Sequence, residues 1–319
     1  SAPALWEGEL ALELHRGTFT THARLKQLHR RCELGLRRVE WLLAAAPPAR
    51  RDPAVSPGQL EAAWRTLLLQ QFHDILPGTS IEVVGRESLE ALERLHAELE
   101  AWSEQLGRAW ADALAPAAAT AGSPVLVLEP NHLGADGVLE TADGPRWCAA
   151  VPGLGAAART LAAAPPAGVS PVRLESDGDA VILENDHLRA RIDPDGRIGS
   201  LVHLATGREC RAEDGEPLAS LRLHDDHPHE WDAWEIDPEH EESGRVMLAS
   251  GPLETGVDGG GLRGDVRVRI DLGEAGEAGV AWITHRLEAG SPQLETILEI
   301  DWTADHRLLR LGHDLAVHA

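Results

Sequence analysis

An imidazole and a carboxylate stand side by side at His73 and Asp74, shortly before the helix-breaking pair Pro77 and Gly78. Both side chains can bind a metal ion, but a catalytic zinc usually takes about three protein ligands and keeps one position open. A helix that continued to residue 73, at about 100° per residue, would place His73 opposite its apolar stripe. A core histidine is therefore disfavoured. Two interpretations stay open: an exposed imidazole that interacts favourably with a helix C-terminus, or one member of a binding site.

A second group of polar residues occupies 224–242, where four histidines lie among nine carboxylates. Their spacing matches no standard metal-ligand pattern on a segment interrupted by proline. An acidic, solvated loop is the simple interpretation. The loop also contains Trp231 and Trp234, and two indoles in a polar stretch suggest a platform, because aromatic faces stack on sugar rings as well as on bases.

A third polar stretch, residues 13–26, precedes the first predicted helix. As structure it is an extended segment in which Thr18 or Thr20 caps that helix. As function, His15 and Arg16 could line a pocket. The sequence does not decide between the two.

Three amphipathic segments in the first third predict a three-helix bundle. Ser56 with Pro57 and Gln59, and Thr79 with Glu82, have the spacing of capping boxes that begin the second and third helices. The second helix is expected to end near residues 72–74. Apolar positions three and four apart predict the buried faces, which are Leu25, Leu28, Cys32, Val39 and Leu42 within 20–46, then Leu60, Trp64, Leu67 and Leu68, then Leu92, Leu95, Leu99, Trp102, Leu106 and Trp110.

The rest of the chain predicts antiparallel strands after a small-residue linker at 116–123. The clearest strand segments are 125–129, 180–184, 187–193, 265–272 and 293–302, with a hairpin turn at Asp195-Gly196. Residues 154–169 predict a loop or a short helix. The expected fold class is α+β: a three-helix bundle over 1–116, followed by an antiparallel β-sandwich region over 117–319 that is incomplete.

Composition excludes some classes of partner. The 319 residues carry a net charge of −23, which argues against nucleic acid and against an anionic membrane surface. The sequence has no apolar run long enough for a spanning helix, and its first residues lack the basic segment and apolar core of a signal peptide. Its three widely spaced cysteines predict no disulfide framework. We expect a cytoplasmic protein. No phosphate-binding loop, nucleophile elbow or HExxH motif is present.

Five stretches occur in a specific order: WEGELALELHRGTFTTHARLK, QFHDILPGTSIE, LENDHLRARIDPDGRIGSL, HEWDAWEID and LEIDWTADHRLLRL. Together they resemble glycoside hydrolase family 38, the retaining α-mannosidases, over nearly the whole chain. The resemblance implies an N-terminal β/α domain with the catalytic carboxylates, a three-helix bundle, β-sandwich domains and one zinc ion at the domain junction. It implies that His73 is a zinc ligand, that Asp74 contacts the sugar hydroxyls, and that Trp231, Asp232 and Trp234 approach the substrate.

The resemblance further implies that this chain is the middle and part of the C-terminal region of such an enzyme. We therefore expect no catalytic residue in the chain, because the nucleophile and the acid belong to the N-terminal domain. Zinc is expected in the full-length enzyme and not firmly bound by this chain. The expected partners are an α-mannoside and the protein's own N-terminal catalytic domain. The alternative is a non-catalytic carbohydrate-binding or interaction module.

Overall fold

A computed structural model of the chain describes residues 14–45, 55–118, 125–129, 134–302 and 304–317. Three α-helices come first: α1 (Ala23–Ala45), α2 (Pro57–Leu69) and α3 (Glu82–Ala118). Sixteen strands follow in the described part: β1 (Val125–Glu129), β2 (Ala135–Thr141), β3 (Gly144–Val151), β4 (Gly155–Arg159), β5 (Arg173–Asp177), β6 (Ala180–Glu184), β7 (Leu188–Ile192), β8 (Ile198–His203), β9 (Arg208–Glu209), β10 (Ser220–Asp225), β11 (Arg245–Met247), β12 (Glu254–Val257), β13 (Arg263–Leu272), β14 (Gly279–Glu288), β15 (Leu294–Trp302) and β16 (Arg307–Gly312). The α+β class and the bundle-then-sheet order are confirmed.

The bundle is held by the faces that the apolar spacing predicts. The buried positions include Leu28 and Val39 of α1, Leu67 of α2, and Leu92 and Leu99 of α3, and all belong to one apolar cluster. Burying a leucine side chain contributes about 1.5–3 kcal/mol, so this cluster dominates the stability of the bundle. No helix of the described residues is long and apolar enough to cross a membrane.

The predicted start of α2 is confirmed in detail. The Ser56 hydroxyl accepts the amide of Gln59 at 3.2 Å, and the Gln59 side chain accepts the amide of Ser56 at 2.9 Å. Pro57 occupies the first turn, where its missing N–H is not needed. These contacts set where the helix begins.

The predicted end of α2 is wrong. The helix stops at Leu69 rather than near 72–74. The next three amides, those of residues 70–72, donate three residues back instead of four, which tightens the backbone into a turn. Leu68, predicted to be buried, has 53% of its surface exposed.

The predicted capping box of α3 is also wrong. The helix begins at Glu82, so Thr79 lies before its first turn. The Thr79 hydroxyl donates instead to Oδ1 of Asp74 at 3.0 Å. At the other end α3 continues to Ala118, into the segment predicted as linker, and residues 119–123 lie outside the described part.

All strand pairs of the described residues are antiparallel, in five sheets. Their strand orders are β1-β4, β2-β3, β5-β6-β7-β8-β9, β11-β10-β16 and β12-β13-β14-β15. The prediction of a loop or short helix at 154–169 is wrong in part, because Gly155–Arg159 forms β4 against β1. Pairing with an available strand overrides the weak local preference of an alanine-rich segment.

The four-stranded sheet is the centre of the β region. Along β13, buried residues alternate with half-buried charged ones, as a sheet with one covered face requires. Val266 packs with Leu183 and Ile192 of the five-stranded sheet, whereas Ile270 packs with Leu221 and Leu223 of the three-stranded sheet. One face of the four-stranded sheet is therefore covered by two other sheets.

Candidate functional site

The His73 turn, residues 70–78, carries the imidazole and carboxylate pair at one end of the bundle. The His73 side chain is 77% exposed, and its Nε2 lies 3.6 Å from Oδ2 of Asp74. The Phe72 ring lies 4.3 Å from the His73 ring, centroid to centroid. His73 is thus outside the core, as predicted, but because α2 has already ended and not because of its position around a continuing helix.

The lead-in segment, residues 14–22, reaches α1 through a short 3₁₀ turn at Arg16–Phe19. The hydroxyls of Thr18 and Thr20 donate to the carbonyls of His15 and Gly17. They do not cap α1, so that prediction is wrong. His15 has a left-handed backbone, with φ of 65°.

The tryptophan loop, residues 229–237, presents one indole to solvent. Trp231 is 68% exposed and has φ of 65°. Its carbonyl accepts the amides of Trp234 at 2.7 Å and Glu235 at 3.0 Å, so a tight turn holds it in this unusual conformation. Asp232 is exposed beside it, and Trp234 is half-buried.

A histidine and an aspartate close this loop at its two ends. The backbone N–H and Nδ1 of His229 lie 2.8 and 2.6 Å from Oδ2 of Asp237. This hydrogen bond raises the pKa of His229 and lowers the pKa of Asp237. Together with Glu239 they are the only group of three or more His, Cys, Asp or Glu residues in the described part of the chain whose ligand atoms all lie within 4.8 Å of one another. His229 and Asp237 already hydrogen-bond each other across the loop, and Glu239 lies exposed just after it.

The remaining histidines of 224–242 do not form one set of metal ligands. His224 and His240 are buried. Nδ1 of His224 donates to the carbonyl of His240 at 2.9 Å, and Nδ1 of His240 donates to the carbonyl of Asp237 at 2.6 Å. Nη1 of Arg310 donates to Nε2 of His240 at 3.3 Å. These histidines support the base of the loop.

The lead-in segment joins the tryptophan loop to the bundle. The Gly17 amide donates to the carbonyl of Trp234 at 2.9 Å, and the Thr21 hydroxyl donates to the carbonyl of Ala233 at 3.0 Å. A Cβ on Gly17 would lie 3.1 Å from the backbone of Trp234. The carboxylate of Glu235 accepts the amide of His15 at 3.1 Å. At Gly17 the backbones of the two segments therefore meet at close range without an intervening side chain.

The same segment touches the His73 turn on its other side. Lys26, in the first turn of α1, bridges the two: its ammonium donates to the carbonyls of Leu76 at 2.8 Å and Pro77 at 3.1 Å in the turn, and to that of Thr21 in the lead-in segment. A Cβ on Gly78 would lie 2.8 Å from Cγ2 of Thr21. The structure thus links the three polar stretches singled out by the sequence into one surface.

Sequence reasoning missed the residues that make these links: Thr21, Lys26 and Glu235. The partners of Thr21 and Glu235 lie 212 and 220 positions away. No local spacing signals such pairs. The two segments carry only the general signal of polar residues outside helical or strand patterns.

Comparison with known proteins assigns both halves of this surface to one family. The model for the α-mannosidase middle domain matches residues 13–109, and the model for the glycosyl hydrolases family 38 C-terminal domain matches residues 183–319. The chain belongs to glycosyl hydrolase family 38. Its His73 turn lies in the first match and its tryptophan loop in the second.

Curated relatives include Alpha-mannosidase 2C1 of Homo sapiens, 33% identical over 96% of this chain and 29% of the relative. Alpha-mannosidase of Saccharomyces cerevisiae is 42% identical over 28% of this chain and 8% of the relative. A solved family 38 protein of Enterococcus faecalis shares the fold, with a TM-score of 0.60 and 12% identity over 92% of this chain and 45% of that structure. The chain spans less than a third of the length of the human relative.

Proposed function

We propose that this chain is the middle and C-terminal part of a zinc-dependent retaining α-mannosidase, and that the surface described above is one wall of its sugar site. The observation that supports the proposal is the contact network of the lead-in segment. It holds the His73 turn and the tryptophan loop together although they are more than 150 positions apart. The relatives are named α-mannosidases, which supports a mannoside as substrate.

His73 would be a ligand of the zinc ion. The donor set fits a shared site: the imidazole is exposed, and a carboxylate lies beside it. It does not fit a complete site, because the turn offers about two ligands where catalytic zinc takes three or more. Zinc, when bound, would supply a Lewis acid that orients the sugar. The other ligands would come from the N-terminal catalytic domain, so this chain alone should not hold zinc firmly.

Asp74 would bind sugar hydroxyls. Its Oδ1 accepts the hydroxyl of Thr79 at 3.0 Å, which fixes the plane of the carboxylate. Oδ2 stays close to the imidazole of His73. A carboxylate held in this way accepts hydroxyl donors with little further ordering, and hydrogen bonds to a charged acceptor are the stronger kind.

Trp231, Asp232 and Trp234 would complete the wall of the substrate site. The exposed indole of Trp231 offers an apolar face for a sugar ring, and the exposed Asp232 carboxylate accepts hydroxyl donors. Trp234 packs edge-on against the His15 ring at 4.9 Å and would act by holding the loop.

Bond cleavage would be carried out by two carboxylates of the N-terminal domain. In a retaining glycosidase one carboxylate attacks the anomeric carbon, and the other protonates the leaving oxygen. The residues of this chain would bind and orient the sugar and exclude water from one side. The chain by itself would be inactive.

The direct experiment is to express the reading frame that contains this chain, with its upstream coding sequence, and to assay an aryl α-mannoside with and without a zinc chelator. Chelator-sensitive hydrolysis with retention of configuration supports the proposal. An exposed tryptophan beside an acidic residue equally suits a carbohydrate-binding module without hydrolysis. Mannoside binding without turnover by the longer protein would favour that alternative.

A further inference from the structure

Lys26 is the only lysine in the chain, and all three of its donors are used on backbone carbonyls. Nζ donates to the carbonyls of Leu76 at 2.8 Å, Pro77 at 3.1 Å and Thr21. An ammonium group has three N–H donors and no acceptor. Lys26 therefore has its hydrogen bonds fully satisfied by two separate segments.

The acceptors explain why a cation is placed there. Leu76 and Pro77 lie between the end of α2 and the start of α3, and no backbone N–H of the described residues donates to either carbonyl. Partly buried carbonyls without a donor cost free energy. Burial also lowers the pKa of Lys26, so the ammonium gives up hydration. Short charge-assisted hydrogen bonds offset that cost.

The bonded carbonyls follow the His73–Asp74 pair by two and three positions. The turn between them is continuous, because the amide of Ile75 donates to the carbonyl of Phe72 and the amide of Gly78 donates to that of Ile75. A displacement at Pro77 is therefore passed to the pair. On the other side Lys26 holds Thr21, whose hydroxyl bonds the tryptophan loop.

From this geometry we propose that Lys26 is a positioning residue, which sets the distance of the His73–Asp74 pair from the tryptophan loop by cross-linking the His73 turn to the lead-in segment. The consequence for zinc and sugar rests on the proposed function. The cross-link itself does not.

Arginine should substitute poorly. Its guanidinium is planar, with donors in a fixed fork, whereas the three carbonyls converge on a single nitrogen. Lys26→Met keeps the apolar stem and removes every donor. Arg30→Met is the matched control, because Arg30 is an exposed cation on the same helix whose ion-pair partner among the described residues is Glu33 alone.

The first test uses this chain and hydrogen–deuterium exchange read by mass spectrometry. In Lys26→Met, amides of 70–78 and 229–237 should exchange at least tenfold faster, while the core of α1 and α3 should change by less than twofold. Arg30→Met should change neither region. Unchanged exchange at 70–78 in Lys26→Met would overturn the cross-link. If Lys26→Met does not fold, Lys26→Arg is measured in its place over the same regions. Unchanged exchange at 70–78 in that variant would likewise overturn the cross-link.

The second test uses the longer protein and measures two quantities, the Kd for zinc and the melting temperature. Lys26→Met should raise the Kd at least tenfold, and Arg30→Met should leave it within twofold. Faster exchange with an unchanged zinc Kd would overturn the positioning role and leave the proposed function standing. A wild-type protein that binds no zinc would overturn the zinc assignment and leave the exchange result standing.

Discussion

Replacing Gly78 with alanine tests how closely the His73 turn packs on the lead-in segment. Gly78 has φ of 87°, and a Cβ there would lie 2.8 Å from Cγ2 of Thr21, 2.9 Å from Cδ2 of His22 and 3.0 Å from the carbonyl oxygen of Thr21. Real Cβ atoms are essentially never found closer than 3.0 Å to such neighbours. The methyl group must therefore push Thr21 and His22 away.

Two costs combine in Gly78→Ala. An L-residue held at positive φ costs about 1–2 kcal/mol, and overpacking at a filled position costs about 1–3 kcal/mol. His22 can move in part, because only one of the contacts is with backbone. We expect the free energy of unfolding of the bundle to fall by about 2–4 kcal/mol.

Gly107 is the matched control for the same substitution. It lies inside α3, has no strained φ, and a Cβ there meets nothing within 4 Å. Gly107→Ala should therefore stabilise the bundle by about 0.5–1 kcal/mol, since alanine favours the helix.

Urea unfolding followed by the helical circular-dichroism signal measures both variants, because α1, α2 and α3 are the α-helices of the described chain. The expected result is that Gly78→Ala lowers the free energy of unfolding and Gly107→Ala raises it. A Gly78→Ala chain as stable as wild type would show that the turn does not pack on Thr21 as the structure has it.

Three further predictions follow from the site and from the core. His73→Ala in the longer protein should abolish stoichiometric zinc and cut activity, yet leave urea unfolding of this chain within about 0.5 kcal/mol, because exposed positions contribute little; a larger stability loss would make His73 structural. This 319-residue chain should leave an aryl α-mannoside intact and lose added zinc on dialysis, and measurable turnover would contradict the assignment of catalysis to another domain. Burial lowers the pKa of His285 to about 4, whereas in the unfolded chain the imidazole binds its proton near the ordinary pKa. The free energy of unfolding is therefore at its full value above the ordinary pKa and falls by roughly 3 kcal/mol as the pH drops to 4. Urea unfolding from pH 7 to 4 should show this loss, and His285→Gln, which keeps a donor for the carbonyl of Gly196, should show a shallower one.

The fold could be predicted wherever local chemistry and burial agree. Ser56 and Gln59 cap α2, and the seam from Leu92 to Leu106 is buried along α3, because short-range spacing decides both features. The errors occur where a polar group takes a hydrogen-bond partner other than the one that the local spacing predicts. Asp74 takes the Thr79 hydroxyl that spacing assigns to α3.

The candidate site could be predicted only in pieces. The residue types at His73, Asp74 and Trp231 point to ligand or sugar chemistry one segment at a time. Their assembly depends on contacts such as that of Thr21 with Ala233, 212 positions away. Such a contact depends on how the bundle and the sheets pack, and that packing is spread over many apolar residues rather than encoded in any motif.

In the assembled surface, backbone groups connect the segments, and the exposed side chains are free to contact a ligand. The links at Gly17 and Lys26 end on carbonyl or amide groups of the opposite segment, whereas the side chains of His73, Trp231 and Asp232 stay exposed. A hydrogen bond that ends on a backbone group can persist when the side chain of that residue is replaced. Substitutions at the exposed group should therefore alter ligand binding at nearly constant stability, and substitutions at the links should alter binding and stability together, because they move the segments themselves.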